Sequence, residues 1–134
     1  MSIRLTEQET KGPKPGSVAY GYLRMAEPDE AEISRLRSRL GTYCQQRGYR
    51  LVTVFCDREV QHTELARAGF TGLFDAVSAD ESGSVVVLVP EKEHLSRDEL
   101  VRKSLEQSIR VAGGQLVTTD EINGHKPKIR RSAC

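Results

Sequence analysis

Residues 84–90 read SVVVLVP, five consecutive Val and Leu residues held between a serine and a proline. Five residues are too few for a helix, and a strand with one wet face would alternate apolar and polar positions. An unbroken run of branched side chains needs apolar cover above and below, which is the condition of an inner strand in a parallel sheet with helices on both faces. Working outward, residues 69–80 (GFTGLFDAVSAD) carry Phe70, Leu73, Phe74 and Val77 at helical spacing, and residues 97–114 carry Leu100, Val101, Leu105 and Ile109 as an inward stripe stopped by Gly113-Gly114. Further out lie strands over VAYGYL (18–23), YRLVTVFCD (49–57) and QLVTTD (115–120). Between the first two, Ile33, Leu36, Leu40, Tyr43 and Cys44 line one face of a helix started by Pro28 or Asp29 and stopped by Gly48. Strand and helix in alternation specify an α/β protein, a three-layer α/β/α sandwich with a mostly parallel central sheet of four or five strands.

The chain has 134 residues, enough for one core. Residues 1–17 mix charge with Gly and Pro and are expected to form a flexible arm, residues 18–121 the folded domain, and residues 122–134 a short basic tail with Lys126, Lys128, Arg130 and Arg131. Twenty Lys and Arg against nineteen Asp and Glu leave a formal net charge of +1, so no global field draws the chain to nucleic acid or to an anionic membrane. No apolar run is long enough to span a bilayer and the polar start has no signal-peptide core, which makes the cytoplasm the expected compartment. Cys44, Cys56 and Cys134, like His62, His94 and His125, are scattered without metal-ligand spacing. No metal and no cofactor is expected.

Ligands of parallel sheets bind beyond the carboxyl ends of the strands. Those ends deliver Arg24, Met25, Ala26 and Glu27 from the first strand, Cys56, Asp57 and Arg58 from the second, and residues 91–97 (EKEHLSR) from the central one, while Arg67 stands just before the second helix. Arg24, Arg67 and Arg97 suit a phosphate, because a guanidinium binds its oxygens bidentately and stays charged. An Arg and carboxylate network with Glu27, Asp57, Glu91 and Glu93 that merely closes the sheet edge has the same signature, so the residues alone leave both accounts open. Cys56 beside Arg58 is weighed as a thiol nucleophile against a small core residue, and Ser96 with Asp98 as a helix cap. Tyr20 and Tyr22 are read as packing residues.

At this point the sequence resembles the catalytic domain of the serine recombinases, the resolvase and invertase family. The family's Tyr-x-Arg-Val-Ser-Thr matches Tyr22 to Glu27, its Asp-Arg-Pro-Gly-Leu is echoed by Ala66 to Phe70, and its Lys-Leu-Asp-Arg-Leu-Ser-Arg by Glu91 to Arg97, the resemblance running from about Val18 to Glu121. It implies a serine that attacks a DNA phosphodiester and arginines that stabilise the charge on phosphorus. The serine position falls on Ala26, which has no group able to attack. Three arginine positions fall on Arg24, Arg67 and Arg97, and a fourth on His94, whose neutral imidazole carries no fixed charge. Glu91 stands where the family usually has lysine, and Glu30 and Arg35 where it often has glutamine, which lowers the expected affinity for DNA. Relatives continue into a dimerising helix and a DNA-binding region, so a monomer or a differently built homodimer is expected, with a protein partner possible and nucleic acid bound weakly. The expectation is a pseudoenzyme: a resolvase-like domain without strand cleavage, acting as an interaction or regulatory module. The alternative is a phosphoryl-transfer or DNA-binding accessory protein in DNA recombination that keeps its arginine cluster.

Overall fold

The computed structural model describes residues 12–119. Residues 1–11 of the expected arm, the basic tail, and Asp120 and Glu121 of the expected domain lie outside the described residues. Four strands alternate with three helices: β1 (Val18–Met25), α1 (Glu30–Arg47), β2 (Arg50–Arg58), α2 (Ala68–Ala79), β3 (Val85–Val89), α3 (Glu99–Ala112) and β4 (Gly114–Thr118), with one turn of 3₁₀ helix at Lys92–His94. All pairings are parallel, in the order β2-β1-β3-β4. The unbroken Val/Leu segment is β3, buried at every position between β1 and β4.

The period of two along the strands sorts side chains into two cores. Ala19 and Leu23 of β1 with Val86 and Leu88 of β3 face Ile33, Leu36, Leu40, Tyr43 and Cys44 of α1. Tyr20, Tyr22, Val85, Val87 and Val89 face Phe70, Leu73 and Val77 of α2 with Leu105 and Ile109 of α3. The result is the expected three-layer sandwich, one helix on one face and two on the other. Gly21 lets α1 settle on the sheet: a Cβ there would stand 2.8 Å from Leu40 Cδ1 and 3.0 Å from Val54 Cγ2.

The helix ends follow the signals in the sequence. Asp29 caps α1 by accepting from the N–H groups of Ala31 (3.0 Å) and Glu32 (3.2 Å), and Gly48 ends it in the left-handed region at φ 78°. Asp98 caps α3 by accepting from Val101 N–H, and Gly113 ends it at φ 109°. One side chain departs from expectation: Leu100 is 81% exposed rather than inward. Val101, Leu105, Ile109 and Ala112 define the buried stripe of α3, and Leu100, one residue from that stripe in the first turn, is swung about 100° away from it. Residues 12–17 lie against the end of α1, where Gly16 N–H donates to the Gly48 carbonyl at 2.7 Å. No helix among the described residues is long and apolar enough to cross a membrane.

Candidate functional site

β1 runs four residues beyond its pairing with β3, which ends at Gly21↔Leu88, while it stays paired with β2 through Met25↔Arg58. On the β3 side the overhang is met by the 3₁₀ turn. The Arg24 backbone N–H, left without a strand partner, donates to His94 Nδ1 at 3.1 Å. An imidazole thus completes the ladder. Burial first, then the neighbouring Arg24 charge, pull the His94 pKa down from 6.5 to about 4, so the ring is neutral near pH 7.

On the β2 side, Glu59 turns the chain sharply at φ 61°, a left-handed conformation strained for a residue with a Cβ, and its N–H donates to the Met25 carbonyl at 2.7 Å. The loop of residues 59–67 is thereby sent across the end of β1. It is fastened through its carbonyls. Arg24 Nη1 donates to Val60 O (3.0 Å), Arg67 Nη2 to His62 O (2.8 Å), Arg67 Nε to Glu64 O (2.6 Å) and Ser96 Oγ to His62 O (2.7 Å).

These bonds separate the three arginines of the sequence reading. Arg67 is 2% exposed, and every nitrogen of its guanidinium is engaged, the last donating to the Tyr22 hydroxyl at 3.5 Å. It is a buried fastener rather than a cavity wall. Arg24 is half-buried, with Nη2 donating to Glu93 O at 2.8 Å and its Nε shut off without a partner. Arg97 is exposed. Desolvation and then the charges of Arg67 and Arg97 lower the Arg24 pKa below the ordinary guanidinium range, the three cations acting on one another at this edge.

A cavity of about 340 Å³ opens at this spot. Its wall is formed by Arg24, Met25, Ala26 and Glu27 from the end of β1, Gln61 and His62 from the fastened loop, and Arg97. Ala26 therefore shares a cavity with two of the three arginines. His94 stands behind Arg24 and does not line it. Gln61 and His62 are the site residues that sequence reasoning missed. Their one signal was position, a polar loop following the carboxyl end of a strand.

The carboxylates do not close the edge as a single network. Asp57 is 5% exposed and serves α2: Oδ1 accepts from Gly69 N–H (2.6 Å), and Oδ2 accepts from Phe70 N–H (2.9 Å) and the Tyr22 hydroxyl (2.7 Å). A carboxylate delivered by β2 thus caps a helix that has no cap in its own sequence, where Arg67 holds the N-cap position. Arg58 pairs with Glu30 at 2.9 Å and Glu93 contributes its carbonyl to Arg24. Cys56 packs in the core beside α1, and burial pushes its thiol pKa up, the reverse of what a nucleophile needs. Ser96 is fully buried, donating to His62 O and accepting from Asp98 N–H (3.0 Å). The capping side chain of α3 is Asp98, and Ser96 ties the loop to it.

The family model for the resolvase N-terminal domain matches residues 19–132. Among solved structures, the C-terminal catalytic domain of ISC1926 TnpA, an IS607-like serine recombinase, superposes with a TM-score of 0.67 at 24% identity, over 86% of this chain and 74% of that one. The N-terminal catalytic domain of TP901-1 integrase gives 0.67 at 18% identity, over 78% of each chain. A resolvase family site-specific recombinase from Streptococcus pneumoniae gives 0.64 at 21% identity, over 87% of this chain and 81% of that one. A search of curated protein sequences finds no significant match.

Proposed function

Because the chain belongs to the resolvase N-terminal domain family, we propose that it is a resolvase-type domain that has lost DNA strand cleavage and serves as a non-catalytic interaction or regulatory module. One observation carries this reading: among the described residues, the cavity wall holds two cationic arginines but no hydroxyl and no thiol. Position 26, where the resemblance to serine recombinases puts the attacking serine, presents a methyl group, and a methyl group cannot attack phosphorus. The hydroxyl of Ser96, in the turn after β3, is buried and spent on backbone bonds. The position that corresponds to a further arginine is His94, whose neutral ring brings no charge to a transition state that depends on it.

The test is incubation of the purified chain with supercoiled DNA, followed by separation under denaturing conditions. Neither nicked circles nor protein-linked DNA is expected, and either product overturns the reading. A second reading is favoured by the placement of Arg24 and Arg97 on one cavity: the domain retains the binding of a phosphate while doing no chemistry on it.

A further inference from the structure

His62 has an unusual environment for a loop histidine. Its carbonyl is gripped from two elements, by Arg67 Nη2 at 2.8 Å and by Ser96 Oγ at 2.7 Å, so its Cα has little freedom. Its Nδ1 is closed off from solvent and has no hydrogen-bond partner. The residue lines the same cavity as Arg24 and Arg97. A proton on Nδ1 would leave a buried N–H without an acceptor. With Nδ1 closed in, Nε2 is the ring nitrogen left to face a ligand, and the side chain can offer the cavity an N–H donor from an anchored backbone.

We propose that the cavity takes a terminal phosphate, as inorganic phosphate or a phosphomonoester, and that His62 is the third donor that sets this preference. The inference rests on the reading that the site holds a phosphate without attacking it. A terminal phosphate carries three non-bridging oxygens and more negative charge than a phosphodiester with its two, and Arg24, Arg97 and His62 come to this cavity from three different segments. Among the described residues Glu27 is the single acid on the wall, so the two guanidinium groups exceed it by one charge and an anion is favoured over a neutral ligand. Gln61, next to His62 on the same wall, adds an amide that can adapt to the ester oxygen or to water.

The experiment titrates the full chain with inorganic phosphate while nitrogen-detected NMR follows the His62 ring. Phosphate is expected to shift the Nε2 resonance, and His62→Ala, which leaves the backbone grip intact, to weaken phosphate binding about tenfold, the effect of one lost charge-assisted hydrogen bond. His62→Gln keeps an N–H donor and is expected to recover most of the affinity. Matching thermal unfolding of the variants separates lost binding from lost folding. Competition by a duplex with a 5′-terminal phosphate identifies a nucleic-acid end as the source, and competition by neither that duplex nor its 5′-hydroxyl form identifies free phosphate. Three results overturn the proposal: no phosphate binding by the wild-type chain, unchanged binding by His62→Ala, or a hydroxyl-ended duplex that competes as well as the phosphorylated one. Nicking of DNA would sink the functional reading instead, and it is read in a separate assay without added phosphate.

Discussion

At position 94 a titratable ring occupies a place that a backbone carbonyl would fill in a longer strand. Its Nδ1 must stay unprotonated to accept from Arg24 N–H, and burial together with the Arg24 charge ensures this by lowering its pKa to about 4. A base held neutral binds fewer protons folded than unfolded between its folded pKa of about 4 and its ordinary 6.5. Stability supplied by this ring is therefore complete above that window and is lost as the pH falls through it. Between pH 6.5 and pH 4.5 the loss attributable to His94 comes to about 2 kcal/mol. Urea unfolding of the wild type and of His94→Gln at the two pH values is expected to show the variant losing about that much less. Equal losses would mean that the ring titrates as it does in the unfolded chain. Glu27 is a second residue with a clear expectation: Glu27→Gln removes the one acid that the described residues place on the cavity wall and should strengthen phosphate binding, measured by calorimetric titration, by a few-fold.

At the scale of elements, the site depends on one loop fastened by arginines and one helix capped from a distance. Asp57 holds two N–H groups of α2 and the Tyr22 hydroxyl, all poorly accessible to water. Asp57→Ala leaves those donors without acceptors and is expected to cost about 3 kcal/mol in chemical denaturation, with Asp57→Asn costing less because one acceptor remains. Gly69 belongs to the same device, since a Cβ there would stand 2.9 Å from the Asp57 carboxylate. The regular elements were legible beforehand because burial writes its period into side chains: the Val/Leu run marked β3, and Asp29, Gly48, Asp98 and Gly113 marked helix ends. The fate of Arg67 was not legible. What buries it is a set of loop carbonyls, and a carbonyl is the same for every residue type, so no spacing of side chains announces it. His62 escaped for the same reason, being positioned by bonds to its backbone. Leu100 was misplaced because one apolar residue beside a helical stripe fits a slightly wider face equally well.

For the molecule as a whole, the charge balance and the cavity set different limits. A net charge of +1 gives no long-range attraction to a polyanion, so any affinity for DNA must come from local contacts. Two cavity arginines displace the counterions of about two phosphates, which predicts a slope near −2 when log affinity for duplex DNA is plotted against log salt. Mobility shifts over a salt series measure it, and a much steeper slope would bring in the basic residues Lys126, Lys128, Arg130 and Arg131. The strand order β2-β1-β3-β4 has a consequence of its own. β1 precedes both of its neighbours in the chain, and its partner β3 is more than sixty residues away in sequence. During translation β2 can join one edge of β1 as soon as it emerges, but the other edge waits, apolar and without its partner, until residue 89 has left the ribosome. Slowing synthesis just after α2 would prolong that wait and expose VAYGYL to other nascent chains, so the gene's tempo over that interval bears on how much protein reaches the native state.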